Sequence, residues 1–228
     1  MLVGELASPV SLDGKLHIPR TIFADSDHRY ELYSARGGME ADFCDDSSAA
    51  YITKSSLGFD GSSYILTDYC PDSQTVIEVE FSKETTSYQA FVFGSRTSAA
   101  SADCFAYSVG TVRSYPLFGL DRSSVPSSPS SGDRHQAVFD SEGFVLDGEV
   151  IKEFNEPELV SNIPLAIGGL NVNGSIDDRL LAGSIFSVRI IRNGTVVREY
   201  IPASRVSDGA DGMYELCSKS FLPLLSIV

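Results

Sequence analysis

Tryptophan is absent from the 228 residues, and histidine, methionine and cysteine number only three, three and four. The missing indole removes the broadest stacking surface a protein can offer a sugar ring. Cys44, Cys70, Cys104 and Cys217 are widely spaced, with no Cys-x-x-Cys pair and no histidine at ligand spacing, so a zinc centre has no support. Four free, mostly buried thiols are the expectation, since two disulfides would need an oxidising compartment. Basic residues are also scarce. Seventeen lysines and arginines against 31 acidic residues give a formal charge of −14. The averaged field repels phosphate backbones and anionic headgroups, which argues against a nucleic-acid partner and against membrane insertion. No stretch of about 18 apolar residues occurs, and MLVGELASPV lacks the basic start and long apolar run of a signal peptide. The chain is therefore expected to be neither membrane-spanning nor secreted by that route. GxSxG, HExxH, P-loop and GxGxxG patterns are all missing, which removes the usual handles for hydrolase, zincin and nucleotide chemistry.

With 43% hydrophobic and 21% charged residues, the composition is that of a folded protein able to bury a core. Its apolar runs are short, rich in Val, Ile, Phe and Tyr, and bounded by Gly, Pro, Ser or Asp. That punctuation predicts strands. They fall at residues 63–67, 75–82, 88–95, 104–109, 113–118, 135–139, 143–146, 149–154, 164–168, 184–192 and 195–201. No segment carries a helix period of useful length, so the fold class is all-β, a sandwich. Asp147-Gly148 and Asn193-Gly194 predict two-residue hairpin turns. At the second, a strict register would set Arg189 opposite Arg198, a like-charge pair, so a bulge or shifted register is expected. The Ser- and Pro-rich stretch from Arg122 to Asp133 predicts a mobile surface loop.

Residues 1–50 differ in character from the rest. GELASP at Gly4 to Pro9 and GKLHIP at Gly14 to Pro19 form a near-repeat, each unit too short to bury a core. This portion is expected to be a β-rich attachment segment, and residues 51–228 the sandwich domain.

From about Leu57 the order of features resembles the concanavalin A-like lectin and laminin-G-type jelly rolls found in bacteriophage and prophage tail and fibre proteins. The resemblance rests on GFDGSSYILTDYCPDSQTVIEVEF (Gly58 to Phe81), FVFGSR (Phe91 to Arg96) and AVFDSEGFVLDGEVI. It continues with PLAIGGLNVNGSIDDRLLAGSIFSVRIIRNGTVVREYIPA and DGMYELCSKSFLP (Asp211 to Pro223). It implies a jelly-roll sandwich in a virion component, held to other virion proteins through the N-terminal segment, acting as a homo-oligomer and presenting a surface to host glycans. A purely structural decoration domain is the alternative.

Within that frame Tyr107, Arg113 and Tyr115, with Phe118 nearby, supply an aromatic platform and polar edge suited to a sugar, and are the candidate ligand-binding residues. No cofactor is expected. Asn171, Asn173, Asp177 and Asp178 gather oxygen donors that suit calcium or, equally, an ordinary strand connection. Glu78 and Glu80 share a strand face, as glycosidase carboxylates do. VIEVEFSKE nevertheless departs from the E-x-D-x-x-E strand motif of glucanases with this fold, and a solvent-facing placement is the expectation. His17, His28 and His135 are scattered. No catalytic residue is assigned.

Overall fold

The computed structural model describes residues 50–228 apart from 85–87, 99–102, 156–158, 160 and 228, together with the backbone of two short strands near the N-terminus. Met1–Tyr51 and Ile52–Val228 are separate compact units. In the first, β1 (Val10–Leu12) and β2 (Lys15–His17) pair as a hairpin. The rest of the near-repeat, the stretch from Thr21 to Asp46, and His28 and Cys44 lie outside the described residues.

The remaining strands, in chain order, begin with β3 (Tyr51–Thr53), β4 (Leu57–Asp60), β5 (Ser63–Leu66), β6 (Thr75–Lys83), β7 (Ala90–Arg96) and β8 (Phe105–Val109). There follow β9 (Ser114–Phe118), β10 (His135–Phe139), β11 (Gly143–Leu146), β12 (Glu149–Glu153), β13 (Ala166–Ile167) and β14 (Asn171–Val172). The last are β15 (Ser175–Ile176), β16 (Ala182–Arg192), β17 (Thr195–Arg205), β18 (Asp211–Glu215), β19 (Ser220–Pro223) and β20 (Leu225–Ser226). The described residues contain no helix.

One sheet runs β12-β11-β10-β6-β16-β17-β18-β19, with β4 alongside β16. The other runs β15-β14-β7-β13-β5-β20, and β8 and β9 extend it beyond β7. Between strands the pairing is antiparallel, except where β14 lies parallel to the end of β7. Strict alternation explains how these strands meet. In β6 every second residue, Thr75, Ile77, Val79, Phe81 and Lys83, is buried, and the residues between are partly exposed. Phe81, Phe139 and Phe144 from one sheet meet Phe93, Phe105, Tyr107 and Phe118 from the other. The Phe105 and Phe139 rings stand edge to face at 4.8 Å. Burying each such ring stabilises the domain by about 1.5–3 kcal/mol.

Asp147-Gly148 and Asn193-Gly194 both adopt the paired positive φ of the tight hairpin turn. The β16–β17 register shifts between Ile190 and Ile191, which sets Arg189 opposite Glu199 instead of Arg198. An extra residue in the ladder thus turns a like-charge pair into an attractive one. Asn173-Gly174 forms a third turn of this kind, joining β14 and β15. The closing segment is a hairpin, β18 with β19.

The Arg122–Asp133 stretch is anchored, contrary to the mobile loop expected. Val125 is buried and pairs with Ser114, while Ser131 lies alongside Lys83. The Lys83 Nζ reaches Ser128 Oγ at 2.7 Å, and the His135 ring lies 3.0 Å from the Ser130 carbonyl. Serine hydroxyls and main chain thus supply the contacts that apolar side chains could not.

Candidate functional site

The outer face of the second sheet carries its own apolar cluster, separate from the core between the sheets. Phe91, Cys104, Ala106, Leu117 and Leu170 form it, and Tyr115 and Val172 pack against them. Alternation along β8 and β9 produces this second face: Phe105, Tyr107, Val109 and Phe118 point to the core, while Ala106, Tyr115 and Leu117 point outward. A bulge between Phe91 and Phe93 reverses the parity of β7, sending Phe91 outward and Phe93 inward.

Register then lines up a row across the face. Phe91 stands opposite Ser108, and Ser108 opposite Tyr115. On the far side of Phe91, its N–H donates to the Arg179 carbonyl at 2.9 Å. Three inter-strand steps therefore separate Arg179 from Tyr115, a span of roughly 14 Å. Polar groups edge the row. Arg113 is exposed and donates to Ser124 Oγ at 2.9 Å. The Gln89 side-chain amide donates to the buried Ser108 hydroxyl.

Arg179 is held on two sides. Its Nε and Nη2 donate to the two carboxylate oxygens of Asp177, each at 2.7 Å, and its guanidinium lies 4.9 Å from the Phe91 ring centroid. Burial by itself would raise the Asp177 carboxyl, but hydrogen bonds from the Arg179 side chain and N–H, with the charges of Arg179 and Arg96, hold it below the ordinary carboxylate value. The hydrogen bond to Asp177 in turn raises Arg179. The loop carrying these residues sits close on the sheet because position 94 is glycine. A Cβ there would come within 2.6 Å of Leu170 Cδ1 and 2.7 Å of Ala106 Cβ.

Of the three expected ligand residues, Arg113 and Tyr115 lie on this face and Tyr107 does not. Tyr107 is wholly buried, 4.4 Å from Phe144 by ring centroid, with its hydroxyl beside Ser114. It is a core residue because its strand position shares parity with Phe105 and Val109, and no ligand reaches it. Phe118 is likewise core. Phe91, Gln89 and Arg179 were missed. Their proximity comes from long-range pairing that no local pattern announces.

The other candidates are engaged elsewhere. Glu78 pairs with Arg189 at 2.8 Å, and Glu80 with Arg134 and Ser187. Both lie on the outer face of the first sheet, each answered by an arginine rather than by the other. Asn171 accepts from the Gly174 N–H and donates to the Pro164 carbonyl, securing the turn. Among the described residues no group of three His, Cys, Asp or Glu gathers around a metal position. Two open depressions, of about 550 and 250 Å³, lie around Ser141 and Glu142, away from the row on the second sheet. Acidic and small polar residues line them, and Phe154, their one aromatic, is buried.

No protein-family model matches the chain, and no curated protein matches it. Solved structures do. A putative carbohydrate binding protein from Bacteroides ovatus aligns at 10% identity with a TM-score of 0.54, covering 78% of this chain and 60% of that one. Domains LG4-5 of the mouse laminin alpha1 chain align at 17% identity and a TM-score of 0.47, covering 64% of this chain and 44% of theirs. The chain thus spans less than half of that laminin structure. The CBM40 module of a Ruminococcus gnavus IT-sialidase, bound to alpha2,3 sialyllactose, aligns at 15% identity and a TM-score of 0.48, covering 64% and 93%. The fold is an all-β jelly-roll sandwich.

Proposed function

We propose that this domain is a non-catalytic glycan-binding module whose ligand lies along the outer face of the second sheet. The observation that carries the reading is the half-buried Tyr115, seated on a buried apolar cluster, in register with Phe91 and edged by Gln89, Arg113 and Arg179. A sugar ring presents an apolar face to an aromatic and hydroxyls to its surroundings, and this row answers both. The jelly-roll neighbour described as a putative carbohydrate binding protein supports the same class. The charge pairing of Glu78 and Glu80 with arginines supports a binding rather than a hydrolytic role.

Screening the protein on a microbial surface-glycan array, with Tyr115→Ala in parallel, tests the proposal. Selective binding that the variant loses is the expected result. An empty array would overturn it in favour of a structural decoration domain.

In the wider reading the module belongs to a phage or prophage virion, where residues 1–50 join it to other virion proteins and copies associate into an oligomer. The near-repeat at Gly4–Pro9 and Gly14–Pro19 and the resemblance to tail and fibre domains support it. Finding the chain in purified particles, and an oligomeric mass by light scattering, tests that assignment. A monomer absent from particles would end it.

A further inference from the structure

We infer that the ligand of this face is an anionic glycan and that Arg179 receives its charged group, an inference that rests on the glycan-binding reading. Asp177 occupies Nε and Nη2 of Arg179, and Phe91 lies under its plane. The third nitrogen, Nη1, has no hydrogen-bond partner among the described residues, and the side chain keeps 36% of its surface exposed. A guanidinium fixed in this way presents its remaining donors with little rotamer freedom left to lose on binding.

The open guanidinium donor fits an acidic partner better than a neutral one. Asp177 also faces Arg96 at 3.8 Å, so one carboxylate is shared between two guanidiniums. The Arg96 Nε is buried without a hydrogen-bond partner. Asp178 acts on Arg179 as well, and Arg113 stands at the other end of the row. Arg96 and Arg179 are thus matched by Asp177 and Asp178, so the charges balance there on a chain whose formal charge is −14. A sugar hydroxyl at Nη1 would gain one ordinary hydrogen bond. A carboxylate, sulfate or phosphate there gains a charge-assisted one, the stronger by a wide margin. The guanidinium lies over Phe91, two inter-strand steps or roughly 10 Å from Tyr115, so the charged group and the stacked ring belong to different sugars of one chain.

Calorimetric titration of the full chain with length-matched oligosaccharides in four arms, neutral, uronic-acid, sulfated and phosphorylated, tests the inference. At least one acidic arm is expected to bind about tenfold or more tightly than the neutral arm, and which one does so identifies the anion. Arg179→Gln should bring that arm down to the neutral level, Arg179→Lys should keep part of the preference, and Tyr115→Ala should weaken every arm. Equal or tighter neutral binding by the parent overturns the inference while leaving the glycan-binding reading intact, and that comparison does not depend on any variant folding. An acidic preference that survives in a folded Arg179→Gln also overturns it. No binding in any arm overturns both.

Discussion

Lys83 and Ser128 converge on one carbonyl oxygen. The lysine Nζ and the serine Oγ each lie 2.6 Å from the Gly110 oxygen and 2.7 Å from one another. The ammonium is buried, and both of these acceptors are neutral. Burial therefore holds its pKa below 10.5. A lysine depressed in the folded state binds fewer protons there than when unfolded, so stability rises with pH from the folded value toward 10.5. Urea midpoints should show this slope in the parent and lose it in Lys83→Met. The variant should also lose about 1–3 kcal/mol at neutral pH and expose amides of residues 122–133 to hydrogen exchange. Unchanged protection of that loop would refute the anchoring role.

Tyr107 and Tyr115 separate stability from binding. Tyr107→Ala empties a core position and should cost about 3–5 kcal/mol. Tyr115→Ala should alter stability by no more than about 1 kcal/mol and weaken glycan binding in every arm. Thermal melts paired with titrations distinguish the two, and a reversed pattern would reassign the site.

Acid should unfold the domain through its paired carboxylates. At Glu215 burial pushes the carboxyl up, but hydrogen bonds from Ser218 and from the N–H groups of Glu199, Cys217 and Ser218 outweigh it and hold it below 4.5. Asp208, bonded by Arg205, is lowered to about 2. A lowered carboxylate adds stability that is present above its unfolded value and disappears as pH falls through the folded one. Glu215→Gln turns an amide N–H toward those donors and should remove about 2 kcal/mol at pH 7. It should also flatten the decline below pH 4.5 in urea titrations, and an unaltered acid limb would sink the assignment.

Gly94→Val tests how the loop is seated. The new side chain collides with Leu170 and Ala106, so the loop bearing Asp177 and Arg179 must lift. Stability should fall by about 1–3 kcal/mol, and acidic-glycan affinity should fall further than neutral affinity. Retained acidic affinity would show that the loop's height is immaterial.

Most strands were legible because their residues alternate and their turns carry Asp-Gly or Asn-Gly, both local signals. The shifted register beside Asn193 was legible too, since the strict one would have faced Arg189 with Arg198. Tyr107 was misplaced because composition grouped it with Tyr115, although counting by twos along Phe105, Tyr107 and Val109 sends all three to the core. Arg179 and Phe91 gave no warning. Their meeting depends on the Leu170–Leu181 segment returning beside β7, and nothing within either stretch encodes the other. The anchored Ser-rich loop was hidden for a related reason: its fastenings, Lys83 and His135, lie on β6 and β10.

Lys152 has a consequence for how the domain comes apart. It projects from β12, the last strand of its sheet, to Asp121 at 2.7 Å and to the carbonyls of Ser123 and Pro116, and Pro116 lies on β9. The free margins of the two sheets are therefore stitched together by one buried side chain. At the opposite margin the sheets are joined by the main chain, β19 running directly into β20, and both strands are short. Under heat or tension the first amides to exchange should be those of β19 and β20, and the β9–β12 seam should give way last.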